Sequence, residues 1–232
     1  MNGIVSLLGL DRPARAWAAG LLSVASLLSC WLLLPAGKAA CGSVFLLGLI
    51  GGSCVDLDQM ILPDLFTIGL AAAGVALSAA VPSLHGDGPF LALNCLRSAA
   101  AAALGVAIGS ALLLWLGLVC ELALGREVLG FGDVKFIGAI GAFCGWQGAV
   151  FSFFGGAVIG AAALALAEAH RRLAGEKTVR LLRVESPAGE TGGLGWSTHF
   201  PFGPMLAAAA GLYYIVLHPW VDRYLAHYAA LF

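Results

Sequence analysis

Long apolar runs dominate this sequence and constrain its fold more than any other feature. A helix that spans a bilayer needs about 20 consecutive, mostly apolar residues, because hydrocarbon offers its backbone no water to bond. The pattern predicts seven such spans, and a count of six or eight also fits. We therefore expect an all-α polytopic membrane protein that forms one integral membrane domain over residues 1–232. The predicted spans are 16–36, 39–56, 61–82, 98–120, 134–147, 148–169 and 201–218.

The composition agrees with this prediction. Of the 232 residues, 60% are hydrophobic and 11% are charged, whereas a soluble domain has about 25% charged residues. The 32 glycines suit close packing of helices in lipid. A net charge of −1 gives no reason to expect nucleic-acid binding. Asp11, Arg12 and Arg15 precede the first apolar run, which has full length and no small-residue cleavage site, so we interpret it as a retained span rather than a secretory signal.

The fifth and sixth predicted spans form one continuous apolar stretch. We divide this stretch at Gly145-Trp146-Gln147-Gly148. The only sizeable polar region of the sequence follows the sixth span, at residues 170–200. It contains five basic residues together with proline and glycine, and we interpret it as one extramembrane loop.

Cysteine and histidine form no recognisable metal or redox site. No Cys-x-x-Cys pair occurs, so the six cysteines indicate neither a zinc site nor a redox motif, and we expect small buried apolar side chains. The five histidines lack metal-ligand spacing, and the sequence has neither a GxSxG motif nor a Walker-type phosphate loop. We therefore expect no metal and no cofactor. The cysteines are Cys30, Cys41, Cys54, Cys95, Cys120 and Cys144.

Basic residues predict the orientation in the membrane, because cytoplasmic loops retain lysine and arginine. With the N-terminus inside, nine basic residues lie on the cytoplasmic side, and only Lys38, Arg97 and Arg223 lie outside. The loop at 170–200 then lies in the cytoplasm. The nine are Arg12, Arg15, Arg126, Lys135, Arg171, Arg172, Lys177, Arg180 and Arg183.

Two acidic clusters fall on the cytoplasmic side in this orientation. In CVDLDQMILPD (54–64), Asp56 ends the second span close to the bilayer boundary. Asp58 is either a hydrated loop residue or a site residue, and Asp64 either complements a helix dipole or has a functional role. The second cluster, GFGD (130–133), begins the fifth span. Charges in such positions are costly unless they are paired, hydrated or functional.

Glycines flank the residue that precedes the second aspartate. Gly130 and Gly132 stand on either side of Phe131, directly before Asp133. Glycine lets two backbones approach closely and adopts conformations that other residues avoid. The segment suits either an extended substrate beside a carboxylate or a simple turn into a helix with an N-terminal charge. Lys135 either acts on a neighbouring carboxylate or extends to the membrane interface.

Two carboxylates that converge at a partly dry site can hydrolyse a peptide bond. Like charges held close do not both ionise readily, so the pair shares a proton. One carboxylate then acts as general base on water while the other protonates the scissile carbonyl, as in aspartic proteases. Ion- or proton-coupled transport is the alternative, since paired intramembrane aspartates also serve there. An inactive scaffold would need neither the aspartates nor the glycines.

Three segments together resemble the type IV prepilin peptidases, the bacterial GxGD membrane aspartyl proteases. VDLDQMILPDLFT (55–67) is similar to the first aspartate motif, in which the Asp of Leu-Pro-Asp follows eight residues after another Asp. GFGDVKFIGAIGAFCGW (130–146) is similar to the second motif. HFPFGPMLAAAAG (199–211) is similar to the Pro-Phe-Gly-Pro segment that opens the last helix. The resemblance covers residues 40–220 and implies a GxGD-protease-like helical bundle.

This resemblance implies that Asp56 and Asp133 are the catalytic pair. The implied substrates are type IV prepilins or type II secretion pseudopilins, whose short basic leaders end in glycine. Cleavage follows that glycine at the cytoplasmic face of the bacterial inner membrane, where membrane lipid surrounds the enzyme. The implied supporting residues of the active site are Asp58, Asp64, Lys135, Gly130 and Gly132.

The sequence departs from the family pattern in one respect. Many members have an N-terminal cytoplasmic region with two Cys-x-x-Cys pairs, which is associated with methylation of the new N-terminus. No such pair stands in these 232 residues. The resemblance therefore implies an aspartic endopeptidase without implying N-methyltransferase activity. We expect the basic loop at 170–200 to be where partner choice differs most.

Overall fold

The structure of the protein, a computed structural model, describes residues 13–85, 91–125, 129–174, 201–218, 220–221 and 224. Within these residues all regular secondary structure is helical. The helices are α1 (Pro13–Leu33), α2 (Ala36–Gln59), α3 (Leu70–Ala80), α4 (Leu91–Leu124), α5 (Phe131–Ala174) and α6 (Gly203–Leu212). A π-helical turn at Leu65–Gly69 leads into α3, a short 3₁₀ turn at Pro82–Leu84 follows α3, and a second π-helical turn at Tyr213–Leu217 extends α6.

Within the described residues, three helical segments are long and apolar enough to cross a membrane: Ala36–Gln59, Ala92–Leu124 and Phe131–Leu166. Shorter apolar helical segments occupy Trp17–Leu33, Leu65–Ala80 and Gly203–Leu217. Many large apolar side chains on these helices are exposed, which suits a surface that faces lipid rather than water. The protein is thus a multi-pass helical membrane protein, and the predicted fold class is confirmed.

Helix α5 contains the division that we predicted between the fifth and sixth spans. It comprises 44 residues, and a straight helix of that length would extend about 66 Å, about twice the hydrocarbon thickness of a bilayer. Gly145 interrupts it with a φ of 70° and a ψ of 179°. Residues with a Cβ avoid this region of backbone conformation, so glycine is required there. The prediction of a break at this glycine is confirmed.

The first half of α5 forms the centre of the core. Phe136, Ile137, Ile140 and Phe143 are buried along it. The Phe143 ring stacks on Phe45 of α2 with ring centroids 4.7 Å apart. Asp133 lies in the first turn of this half of α5. The packing of the apolar face of α5 therefore determines where the Asp133 carboxylate lies.

Glycine permits the close crossing of α4 and α5. A Cβ atom on Gly105 would overlap the backbone carbonyl of Gly141, and a Cβ on Gly141 would overlap that of Gly105. The contact between Gly105 and Gly141 supports the expectation that glycine serves close helix packing in this chain. The Ser110 hydroxyl also joins the two helices, because it donates a hydrogen bond of 3.1 Å to the Val134 carbonyl.

Several predicted boundaries were wrong, and two of them concern the acidic motif and the polar loop. Helix α2 continues through Asp58 to Gln59, so Asp58 lies in a helix and not in a loop. The helix ends only where Met60 adopts a left-handed conformation, with φ at 52°, and donates its N–H to the Asp56 carbonyl. Helix α5 likewise continues through His170 to Ala174. The predicted polar loop therefore starts at least five residues later than expected, and residues 175–200 lie outside the described part of the chain.

The six cysteines form no disulfide. The expectation of buried apolar thiols is confirmed for Cys30 and Cys41, whereas the other four cysteines are only half-buried. Of the basic residues used to predict the orientation, several lie outside the described residues. These are Arg12, Arg126, Lys177, Arg180, Arg183 and Arg223.

We expect the substitution Gly141→Ala to destabilise the fold. The added Cβ meets the backbone of Gly105, which cannot move without separating the two helices. Overpacking of this kind lowers the free energy of unfolding by about 1–3 kcal/mol. Unfolding in detergent measures the effect. Gly20→Ala is the matched control, since a Cβ there has no neighbour within 4 Å; equal stability of the two variants would contradict the prediction.

Candidate active site

Asp56 lies in the last turn of α2 and is buried, with 6% of its surface exposed. Its Oδ2 atom accepts a hydrogen bond of 3.0 Å from the backbone N–H of Gly203. A buried carboxylate is costly unless hydrogen bonds or opposite charges compensate it. The bond from Gly203 supplies such compensation and joins the end of α2 to the start of α6.

The start of α6 explains why this N–H is available. Pro204 has no N–H to donate. The N–H groups of Met205 and Leu206 both bond to the Phe202 carbonyl at 3.1 Å. In the first turn of α6 the Gly203 N–H is thus left to meet the Asp56 carboxylate.

Asp133 lies in the first turn of α5 and is half-buried. Its backbone N–H bonds to the Gly130 carbonyl at 3.1 Å, which forms the turn into the helix. A Cβ on Gly52, one turn before Asp56, would lie 3.2 Å from the ring of Phe136, which is one turn after Asp133. The structure therefore brings together the helix ends that carry the two aspartates, which the sequence places in separate motifs.

Of the two motif glycines, Gly132 permits a close approach, and neither has an unusual backbone conformation. Among the described glycines, only Gly125 and Gly145 have a positive φ. A Cβ on Gly132 would lie 3.2 Å from the Leu62 Cβ, tighter than ordinary contact. A Cβ on Gly130 would lie 3.5 Å from Asp133 Oδ2. Gly132 therefore lets the start of α5 approach the segment after α2, and of the two properties of glycine named above, close approach is the one that the structure shows here.

Lys135 pairs with Asp64. The Lys135 Nζ atom lies 2.7 Å from Asp64 Oδ1 and 5.2 Å from the centre of the Phe131 ring. Asp64 makes no side-chain hydrogen bond to the helical turn that follows it. Of the two alternatives for Lys135, the structure shows contact with a neighbouring carboxylate, and this contact joins the segment after α2 to the start of α5.

Asp58 is half-buried in the same turn as Asp56. Residues two apart on a helix point in different directions. The Asp58 side chain therefore does not point toward Gly203, as the Asp56 side chain does. Among the described residues, no group of three or more His, Cys, Asp or Glu side chains could hold a metal ion.

Sequence reasoning missed Gly203. The Pro-Phe-Gly-Pro segment was assigned to the start of the last helix, and no residue in it was predicted to reach the aspartates. The signal that could have found it is the pair Gly203-Pro204, which leaves one uncommitted N–H at a helix start without a side chain to shield it.

The arrangement can activate water. A pair of interacting carboxyl groups, one of them held by a backbone N–H, can accept a proton from a water molecule and donate one to a carbonyl oxygen. Exposed apolar side chains belong to the segments that carry the aspartates, and a substrate that is itself partly in the membrane can approach them. These side chains are Leu57, Ile61, Leu65 and Phe131.

We expect the Lys135–Asp64 pair to contribute little to stability. The exposed fractions of its side chains are 29% and 68%, so solvent screens the attraction. A double-mutant cycle with Lys135→Met and Asp64→Asn should give a coupling below about 1 kcal/mol in the free energy of unfolding. The coupling should fall further at high salt. A coupling of several kcal/mol that salt leaves unchanged would contradict the prediction.

The chain has recognisable relatives. Residues 43–165, more than half of the chain, match the type IV leader peptidase family. A Burkholderia pseudomallei protein named prepilin leader peptidase/N-methyltransferase is 30% identical over 210 residues, which cover 89% of this chain and 56% of that protein. A Stutzerimonas stutzeri protein of the same name is 28% identical over 190 residues, covering 81% of this chain and 52% of that protein.

The chain spans about half the length of the curated relatives it matches. No solved structure matches it. The matched family region includes both aspartate motifs, with Asp56, Asp133 and the Lys135–Asp64 pair, and ends before α6. On this evidence the chain belongs to the type IV leader peptidase family.

Proposed function

We propose that this chain is a membrane-embedded aspartyl endopeptidase. It removes the short basic leader of type IV prepilins or of type II secretion pseudopilins and cuts after the glycine that ends the leader. The observation that carries the proposal is the close packing of the end of α2, which carries Asp56, against the first turns of α5, which carry Asp133, where a Cβ on Gly52 would lie 3.2 Å from the Phe136 ring. Family membership and the names of the relatives support the same activity.

In the proposed reaction Asp56 and Asp133 are the catalytic pair. One carboxylate takes a proton from water, the resulting hydroxide attacks the scissile carbonyl carbon, and the other carboxyl group protonates the carbonyl oxygen. Collapse of this intermediate breaks the carbon–nitrogen bond, and a proton passes to the departing amine. The backbone at Gly130 and Gly132 lines the approach to Asp133. The contact between Lys135 and Asp64 helps to position the start of α5, which carries Asp133.

The proposed location is the bacterial cytoplasmic membrane, with the N-terminus and the active site on the cytoplasmic side. The distribution of basic residues supports this orientation. Asp56, Asp133 and Gly203 all lie at helix ends that this orientation places inside. Basic leaders would meet the acidic residues of the two motifs there, although the attraction extends only over a Debye length of about 8–10 Å.

The proposal is restricted to cleavage. The relatives' names also include an N-methyltransferase, but these 232 residues contain no Cys-x-x-Cys pair. Neither the family nor the relatives support the transport alternative.

We expect Asp56→Asn and Asp133→Asn each to lower the rate of leader removal by about 10²- to 10⁴-fold, because each substitution removes one partner of the acid–base pair. Co-expression with a model prepilin, followed by a gel shift of the cleaved product, measures the effect. Asp58→Asn and Asp64→Asn should retain measurable cleavage, since neither carboxylate belongs to the pair.

Glu121→Gln is the matched control for this experiment. It removes an exposed carboxylate from the end of α4, on the same predicted face of the membrane. Cleavage by this variant should equal that of the wild-type chain. Undiminished cleavage by a correctly inserted Asp133→Asn variant would contradict the proposed pair, and absence of cleavage by the wild-type chain would contradict the proposed substrate.

We expect alkaline phosphatase to be inactive when it is fused after Pro187 and active when it is fused after Gly88. Alkaline phosphatase folds to its active form only outside the cytoplasm. The proposed orientation puts the fusion point after Pro187 inside the cell and the fusion point after Gly88 outside. The ratio of phosphatase activity to fusion protein measures the orientation. The reverse pattern would contradict a cytoplasmic active site.

A further inference from the structure

We infer that Gly203 is a positioning residue for Asp56: its N–H holds Oδ2 and leaves Oδ1 as the oxygen that reacts with water. The inference rests on the proposed function, because it assigns a role within the same site. It concerns a residue outside both aspartate motifs and outside the matched family region.

The first argument is the hydrogen bond itself. Asp56 is buried, and Gly203 donates to one of its two carboxylate oxygens at 3.0 Å. A hydrogen bond to a charged acceptor in a water-poor site is stronger than one between neutral groups and restricts the side chain to one orientation. Because only Oδ2 takes part in this bond, the two oxygens of Asp56 are not equivalent.

The second argument is that α6 presents this N–H as a fixed donor. Leu206, one turn into the helix, is fully buried. A Cβ on Gly156 of α5 would lie 3.1 Å from the Leu206 Cα, so the two helices are in close backbone contact. The donor is therefore held by helix packing before any substrate arrives, which is the condition for an effective contribution to catalysis.

The third argument is steric. A Cβ on Gly203 would lie 2.6 Å from Asp56 Oδ2, 3.1 Å from its Cγ and 3.4 Å from its Cβ. The φ of Gly203 is not positive, so no left-handed conformation requires glycine there. Two contacts disfavour a side chain at this position: the Asp56 carboxylate occupies the space that it would need, and a Cβ on the helical residue before Pro204 would crowd the proline ring.

Two substitutions distinguish the effect of the Gly203 N–H group from the effect of the space that Gly203 leaves for the Asp56 carboxylate. Gly203→Ala keeps the N–H and displaces the carboxylate. Glycolic acid at position 203, introduced by cell-free translation of the full chain into nanodiscs, replaces the N–H with an ester oxygen and adds no side chain. Gly211→Ala is the control, because it lies in the same helix and its Cβ would make only ordinary contact, 3.5 Å from Leu46.

The measurement is kcat and KM for leader removal from a purified model prepilin. We expect Gly203→Ala to lower kcat by about 10²-fold through displacement of the reacting group, and the glycolic acid variant to lower it by about tenfold or more through loss of a bond to a charged group. KM should change by less than about twofold in both, since binding of the leader is untouched. Gly211→Ala should match the wild-type chain.

A wild-type kcat for the glycolic acid variant would overturn the inference, whether or not Gly203→Ala folds. A loss of activity that appears only in KM would also overturn it. In either case, cleavage by the wild-type chain that Asp56→Asn abolishes would leave the proposed function intact. Absence of cleavage by the wild-type chain would overturn the proposed function, and this inference with it.

Discussion

A carboxylate buried at the end of a membrane helix is the constraint on which the rest of the site depends. Asp56 cannot remain there without compensation, and the compensation comes from the backbone of Gly203, 147 residues later in the chain. This bond determines where α6 must begin relative to α2. The turn that carries Asp133 packs beside the same end of α2, where Gly52 meets the Phe136 ring, so α2 ends, and α5 and α6 begin, close to one another.

Apolar packing holds these three helices at that point. The stacked Phe45 and Phe143 rings join α2 to α5, and the Tyr214 hydroxyl donates to the Lys38 carbonyl at 2.7 Å, which joins α2 to the helical turn after α6 at the opposite end. The Gly105–Gly141 crossing brings α4 against α5. The polar groups thus determine one end of the bundle, and close packing of small and aromatic residues determines the rest.

Much of this arrangement could be predicted from local sequence. Hydropathy and length identified the helices, and Gly145 was identified as the break in α5. The sequence placed Asp133 at the start of the fifth span, and the structure has it in the first turn of α5. Of the two alternatives for Asp58, the loop position was wrong, because the end of α2 depends on the left-handed conformation of Met60, which no residue pattern indicated. The close approach that glycine permits was foreseen for the second motif, but its partner Leu62 was not.

The sequence by itself determined the fold class, the helical segments and the family, because each of these depends on composition, on the length of apolar runs or on short motifs. Only the tertiary structure decided that Lys135 pairs with Asp64 and that Gly203 bonds to Asp56. Both contacts join segments far apart in the chain. Their formation depends on how α5 and α6 pack against each other and against α2, and residue spacing within one segment carries no information about that packing.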